Sequence, residues 1–146
     1  MYDRILVPTD GSAGSRAVIE HAADLAEIHG ATLYALYVVN TTSYASFSVE
    51  STWEGIGDML REEGEEALGV VESIAGGRVP VETQIMEGSP SRKIVHHAER
   101  EDCDLIAMGT HGRGGIDRLL LGSVAERVVR SSDVPVLTHR VGSDED

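Results

Sequence analysis

Short apolar runs that alternate with amphipathic helical patterns constrain this chain most. Ile5-Leu6-Val7 and Leu105-Ile106-Ala107 are apolar at every position, and Thr32 to Val39 is apolar toward both faces. Successive side chains of a strand point to opposite faces, so a run of this kind belongs in a sheet covered on both sides. Between the runs the period changes. Ser15 to His29 places Val18, Ala22, Leu25 and Ala26 on one helical face, and Gly30 closes it. Trp53 to Ala75 predicts a long helix with Ile56, Leu60, Ala67, Val71 and Ile74 inward and a wet side of Arg61, Glu62, Glu63, Glu65 and Glu66. Val81, Thr83 and Ile85 alternate with Glu82, Gln84 and Met86, the pattern of a partly covered edge strand. Gly88-Ser89-Pro90 opens a third helix with Ile94, Val95 and Ala98 inward. A fourth starts near Ser123, and Val134 to His139 reads as a last strand. The order β-α-β-α-β-α-β-α-β predicts an α/β fold: a five-stranded parallel sheet with helices on both faces. One domain over residues 1–141 is expected, then an acidic, disordered tail over 142–146.

The charge balance narrows the partners. Asp and Glu number 25 against 12 Lys plus Arg, for a net charge of −13, and Lys93 is the single lysine. Such a surface repels nucleic acid and anionic membranes, so neither is an expected partner. A high acidic load almost without lysine suits a cytoplasm of molar salt, where screening removes the self-repulsion. An ordinary acidic surface is the alternative. With one cysteine, Cys103, no internal disulfide can form. Its position before an apolar run, between Asp102 and Asp104, suits a small core residue rather than a reactive thiol. No signal peptide precedes the first strand and no apolar run would span a bilayer, so a cytoplasmic protein is expected. His96-His97 has no carboxylate or cysteine at ligand spacing and predicts a surface or partly buried pair, not a metal site.

Met108 to Ser123, MGTHGRGGIDRLLLGS, carries the candidate chemistry. It is a long, glycine-punctuated turn between a buried strand and a helix start. Backbone N–H groups are free there, and the helix dipole favours an anion. Ser123 is the expected N-cap of the fourth helix. Asn40 to Thr52, rich in Ser and Thr with Tyr44 and Phe47, reads as a long loop, either a solvated connector or a flap beside a ligand.

The spacing of Gly109, two residues, Gly112, nine residues, Gly122 and Ser123 resembles the nucleotide-binding signature of ATP-binding universal stress proteins. The resemblance runs from Ile5-Leu6-Val7-Pro8-Thr9-Asp10 to Val134-Pro135-Val136-Leu137. It implies the strand order 3-2-1-4-5, in which the winding reverses between strands one and four. Ligands bind outside the strand ends at such a switch point. Pro8, Thr9 and Asp10 would then face the glycine stretch across one crevice. The resemblance implies that the Asp10 carboxylate accepts ribose hydroxyls; as an alternative, Asp10 or Ser12 would cap the following helix. It implies that the backbone of Val38 pairs with the adenine edge, and that Gly109, Gly112, Gly122 and Ser123 hold the phosphates. Met108 and Val124 would line the adenosine pocket. Arg113 or Arg118 could pair with a phosphate, with Arg113 preferred, and His111 stays open. ATP is the implied cofactor, with Mg²⁺ or Mn²⁺ carried by its phosphates. A homodimer through the last strand, at Val134, Val136 and Leu137, is also implied, since an uncovered edge invites pairing.

The glycine stretch lacks the Gly-Lys-Ser/Thr of a Walker A motif, and no carboxylate pair or nucleophile–base pair is evident. Amides that bind ground state and transition state alike raise affinity, not rate. The expectation is a nucleotide-dependent regulatory module with little or slow hydrolysis. A slow ATPase or phosphoryl-transfer protein, and a dimeric interaction module that binds no nucleotide, are the alternatives.

Overall fold

The structure, a computed structural model, describes residues 1–40, 53–110 and 121–140, with backbone alone for 53–57. The expectations for the loop over 41–52, for His111, Gly112, Arg113 and Arg118, for the Ile56 side chain and for the tail lie outside the described residues.

Strand β1 (Arg4–Pro8) leads to helix α1 (Ser15–His29), then β2 (Thr32–Asn40), α2 (Trp53–Ala75), β3 (Val81–Gly88), α3 (Pro90–Arg100), β4 (Leu105–Gly109), α4 (Ser123–Ser131) and β5 (Val136–His139). The five strands form one sheet in the order β3-β2-β1-β4-β5, and every neighbouring pair is parallel.

The continuous apolar runs follow from the layering. Ile5 and Val7 point into a core shared with Ile19, Ala22 and Ala26 of α1 and Val71 of α2. Leu6, between them, points the other way, onto Ile94 and Ala98 of α3 and Val128 of α4. One strand therefore feeds two cores, and all three of its side chains are fully buried. β3 lies at an edge, as its alternation predicts: Glu82, Thr83 and Gln84 are exposed while Val81 and Ile85 pack against the α1–α2 core. Gly30 ends α1 with φ 71°, ψ 33°, a left-handed conformation that favours glycine, and its N–H bonds the Ala26 carbonyl. Cys103 is buried in the α3–α4 core. Burial first, then the nearby carboxylates of Asp104 and Glu101, pushes its thiol up to about 12.

Several boundaries differ from the sequence reading: β2 runs on through Asn40, the residue expected to start the loop, β3 through Gly88 and β4 through Gly109, and two further shifts lie around α4 and β5. β5 begins at Val136, not Val134. The Val134 N–H bonds the Ser132 hydroxyl at 2.9 Å, and that hydroxyl donates to the Val134 carbonyl at 2.7 Å, so a local turn holds this residue. Pro135, which has no N–H to give a ladder, only accepts from Ile106 at 2.9 Å. The N-cap of α4 is Gly122, not Ser123; its carbonyl takes the first helical bond, from the Glu126 N–H at 2.9 Å.

Candidate functional site

The crevice follows from where hydrogen bonding stops. β1 pairs with β2 from Arg4 to Pro8, but with β4 only at Ile5 and Leu6. Beyond Leu6 and Ile106 the two central strands part, although β1 runs on to Pro8 and β4 to Gly109. Three segments face the gap.

The first is the turn after β1. The Thr9 N–H bonds the Leu36 carbonyl at 2.9 Å, and the buried Thr9 hydroxyl accepts from the Gly11 N–H at 3.2 Å. One carboxylate oxygen of Asp10 accepts from the Ser12 N–H at 2.9 Å. This local bond fixes the half-buried carboxylate at the mouth of the gap. Neither Asp10 nor Ser12 caps α1 through its side chain. The N-cap is Gly14, and Ser12 contributes its carbonyl, to the Ser15 N–H at 3.1 Å and the Ser15 hydroxyl at 2.6 Å.

The second segment is the end of β2. In a parallel strand, alternate residues turn both backbone groups to one side. Thr32 and Leu36 bond toward β1 (the Thr32 N–H to Asp3 at 2.9 Å, the Leu36 carbonyl to Thr9) while Leu33 bonds toward β3. Val38 shares the parity of Leu36 and lies beyond the last β1 partner, Pro8. Its N–H and C=O therefore turn toward the gap. Its half-buried side chain packs on the α3–α4 core.

The third segment joins β4 to α4. Met108 is buried in the α3–α4 core beneath the gap, and Gly109 follows half-buried. Thr110, also buried, is a clamp that sequence reasoning passed over. Its N–H bonds the His139 carbonyl at 3.0 Å, and its own carbonyl accepts the Gly122 N–H at 2.6 Å. Both ends of the glycine stretch are thus tied to one residue, and that residue to the end of β5. A lone threonine inside a glycine-rich turn gave no signal of this. His139 itself pairs with Gly109. Its ring meets His21 edge-on at 5.7 Å, and its Nδ1 is buried without a hydrogen-bond partner among the described residues. Among the described residues no side chain caps α4, and the first-turn amides of exposed Ser123, half-buried Val124 and buried Ala125 are the donors that a helix start leaves without intrahelical acceptors. Glu126, the acidic residue of that first turn, is ion-paired with Arg130.

Pro8, Thr9, Asp10, Val38, Met108, Gly109, Gly122, Ser123 and Val124 thus lie at the C-terminal ends of the central strands and at the start of α4. A universal stress protein family model matches residues 1–140. The chain belongs to the universal stress protein family. A universal stress protein of Methanocaldococcus jannaschii, MJ0531, is 44% identical over 138 residues, covering 94% of this chain and 81% of the relative. Among solved structures, MJ0577 of the same organism superposes with a TM-score of 0.86 at 30% identity, covering 99% of both chains. A universal stress protein solved in complex with cAMP shares the fold, with a TM-score of 0.69 at 23% identity over 97% of this chain and 98% of that one.

His97, buried on α3, is held below its ordinary value of 6.5 by burial, a shift that Arg100 and His96 reinforce and Glu101 opposes. Among the described residues no three of His, Cys, Asp and Glu group as a metal site, and no helix is long and apolar enough to cross a membrane.

Proposed function

We propose that this chain binds an adenine nucleotide, ATP by preference, in the gap between β1 and β4, and acts as a nucleotide-dependent regulatory module with little or slow hydrolysis. The observation that carries the reading is the convergence, where β1 and β4 part, of the Asp10 carboxylate, the outward backbone of Val38 and the start of α4, which no described side chain caps. A carboxylate suits ribose hydroxyls, a free backbone N–H and C=O suit an adenine edge, and uncapped helical amides suit phosphate. The fold shared with a cAMP complex agrees with a ligand of this class. Gly112 and Arg113 join the proposed site by family resemblance. Mg²⁺ or Mn²⁺ would arrive with the phosphates.

Purification at high salt, denaturation and mass spectrometry of the released small molecules test this reading. Gly122→Val is the control. Gly122 has φ −72°, ψ 171°, extended backbone open to any residue. The variant should therefore fold, and its bulk should act on the ligand's approach. Adenine nucleotide from the wild type and none from the variant is expected; an empty wild type that shows no thermal shift with Mg-ATP overturns the reading.

We also propose a homodimer through the β5 edge. Leu137 rests on the α1–α2 core and Val134 and Val136 on the α3–α4 core, and each stays partly exposed at the end of the sheet. A monomer in sedimentation at molar salt would remove this assignment. The acidic surface supports a salt-rich cytoplasm as the working environment.

A further inference from the structure

The other edge of the sheet carries a groove that the nucleotide reading does not use. It lies between α2 and β3, is open to solvent with a volume of about 340 Å³, and is lined by Glu65, Leu68, Gly69 and Glu72 of α2 and by Thr83, Gln84 and Ile85 of β3. Its floor is apolar: Leu68 is buried and Ile85 half-buried. It exists because α2 places a glycine where a side chain would cover the strand, and a Cβ built on Gly69 meets nothing within 4 Å. Glu65 and Glu72 stand about one helical turn either side of that gap, on the same face. Both are exposed, and among the described residues neither has an ion-pair partner. Glu87, further along β3, is paired with Arg61 at 2.8 Å.

The backbone of β3 is open on the same side. The Leu33 N–H bonds the Pro80 carbonyl at 2.9 Å. By alternation Glu82, Gln84 and Met86 bond β2, and Val81, Thr83 and Ile85 turn their N–H and C=O outward. The Gln84 side chain confirms the parity: its amide donates at 3.1 Å to the Ile85 carbonyl, a place that a neighbouring strand would fill. An eight-residue edge strand with outward donors and acceptors is a template for a further strand.

We propose that the β3 edge and the α2 groove receive an extended segment of a partner protein that alternates basic and apolar residues. It would add to the sheet beside β3. Its basic side chains, all on the α2 face, would lay their apolar stems over Leu68 and Ile85 and reach across Gly69 to the carboxylates of Glu65 and Glu72, and its apolar ones, on the opposite face, would lie beside half-buried Met86 of the α3–α4 core. Charge complementarity selects this occupant. A second copy of the chain would bring its own Glu82, Glu87, Glu65 and Glu72 against the same carboxylates, a like-charge pairing.

The test uses the full chain and a fluorescein-labelled nine-residue peptide alternating arginine and valine, beside the same peptide with glutamate for arginine. Saturable binding of the arginine peptide alone is expected. Hydrogen exchange read by NMR should show new protection of the Val81, Thr83 and Ile85 amides, with those of Glu82, Gln84 and Met86 unchanged. The pair Glu65→Gln and Glu72→Gln should weaken binding about tenfold, as two solvent-exposed charge contacts allow. Thr83→Pro removes an outward N–H that no described residue accepts and places a ring on the edge, so it should fold and abolish binding. Binding that survives Thr83→Pro overturns the proposal, as does protection elsewhere in the chain or equal affinity for both peptides. So does absence of binding, or a wild-type dimer that Thr83→Pro dissociates. Because Gly122→Val leaves this edge untouched, failure here and failure of the nucleotide reading are separately visible.

Discussion

Two glycines of α2 should answer the same substitution with opposite signs. An alanine built at Gly64 would place its Cβ 2.6 Å from Cδ2 and 3.1 Å from Cγ and Cε2 of Tyr37, whereas at Gly69 it would meet nothing within 4 Å. Tyr37 is only 7% exposed, so its ring cannot simply swing aside. Either α2 lifts or the ring leaves its packing. Replacing a mid-helix glycine by alanine contributes about 1 kcal/mol of helix propensity at both sites. That gain is common to the two variants, so their difference isolates the clash, about 1–3 kcal/mol by the cost of overpacking a filled core. Gly69→Ala is therefore stabilised by about 1 kcal/mol and Gly64→Ala is destabilised by about 0–2 kcal/mol. In a domain of this length about 3 °C of Tm accompanies each kcal/mol, so the variants should melt about 3–9 °C apart. Urea unfolding at fixed salt, followed by circular dichroism with unchanged m-values, gives the same difference as free energy. Equal stabilisation of both variants would refute the packing of α2 against β2. Because Tyr37 precedes Val38, Gly64→Ala should also weaken nucleotide binding, and Gly69→Ala should not.

Three further outcomes follow from buried or tethered groups. His97 is held below 6.5 in the folded chain, so the unfolded chain takes up its proton first on acidification. Its contribution is constant above about pH 7 and is lost as pH falls through 6.5 toward the folded value; His97→Gln should flatten that limb of a stability–pH curve, and an unchanged limb contradicts the assignment. Cys103, buried with its thiol pushed up to about 12, should resist a thiol reagent at pH 8 in the native protein and react at once in denaturant. Fast native labelling would contradict its placement. Asp104 accepts the Asp3 N–H at 2.9 Å and the Arg4 N–H at 3.2 Å, so Asp104→Ala should release the start of β1 at a cost of about 1–2 kcal/mol, seen as faster amide exchange at Asp3 and Arg4 with later strand residues unchanged.

What was legible in the sequence was whatever depends on period and punctuation. Ile5-Leu6-Val7 reveals a doubly covered strand because both of its neighbours are apolar layers, and α2 carries its bounds in a long stripe ended by Gly76-Gly77. The strand order, which fixes which loops meet, came from the family resemblance rather than from period or punctuation. The details that escaped depend on bonds between distant residues. Ser123 looks like a cap, but the Gly122–Thr110 bond draws the chain in one residue earlier, and Gly122 becomes the cap. Val134 looks like a strand residue until the Ser132 hydroxyl claims both of its backbone groups. The Thr110 clamp, the Tyr37–Gly64 contact and the groove at Gly69 all join elements far apart in sequence, where no local pattern records them.

The central claim is that the gap between β1 and β4 holds an adenine nucleotide. Isothermal titration of the nucleotide-free protein with Mg-ATP at molar salt tests it most directly, with Asp10→Asn and Gly122→Val beside the wild type. The account predicts saturation at one nucleotide per chain, weakened by Asp10→Asn and abolished by Gly122→Val, with both variants folded. Absence of saturable heat for the wild type, or equal affinity in all three proteins, would contradict it.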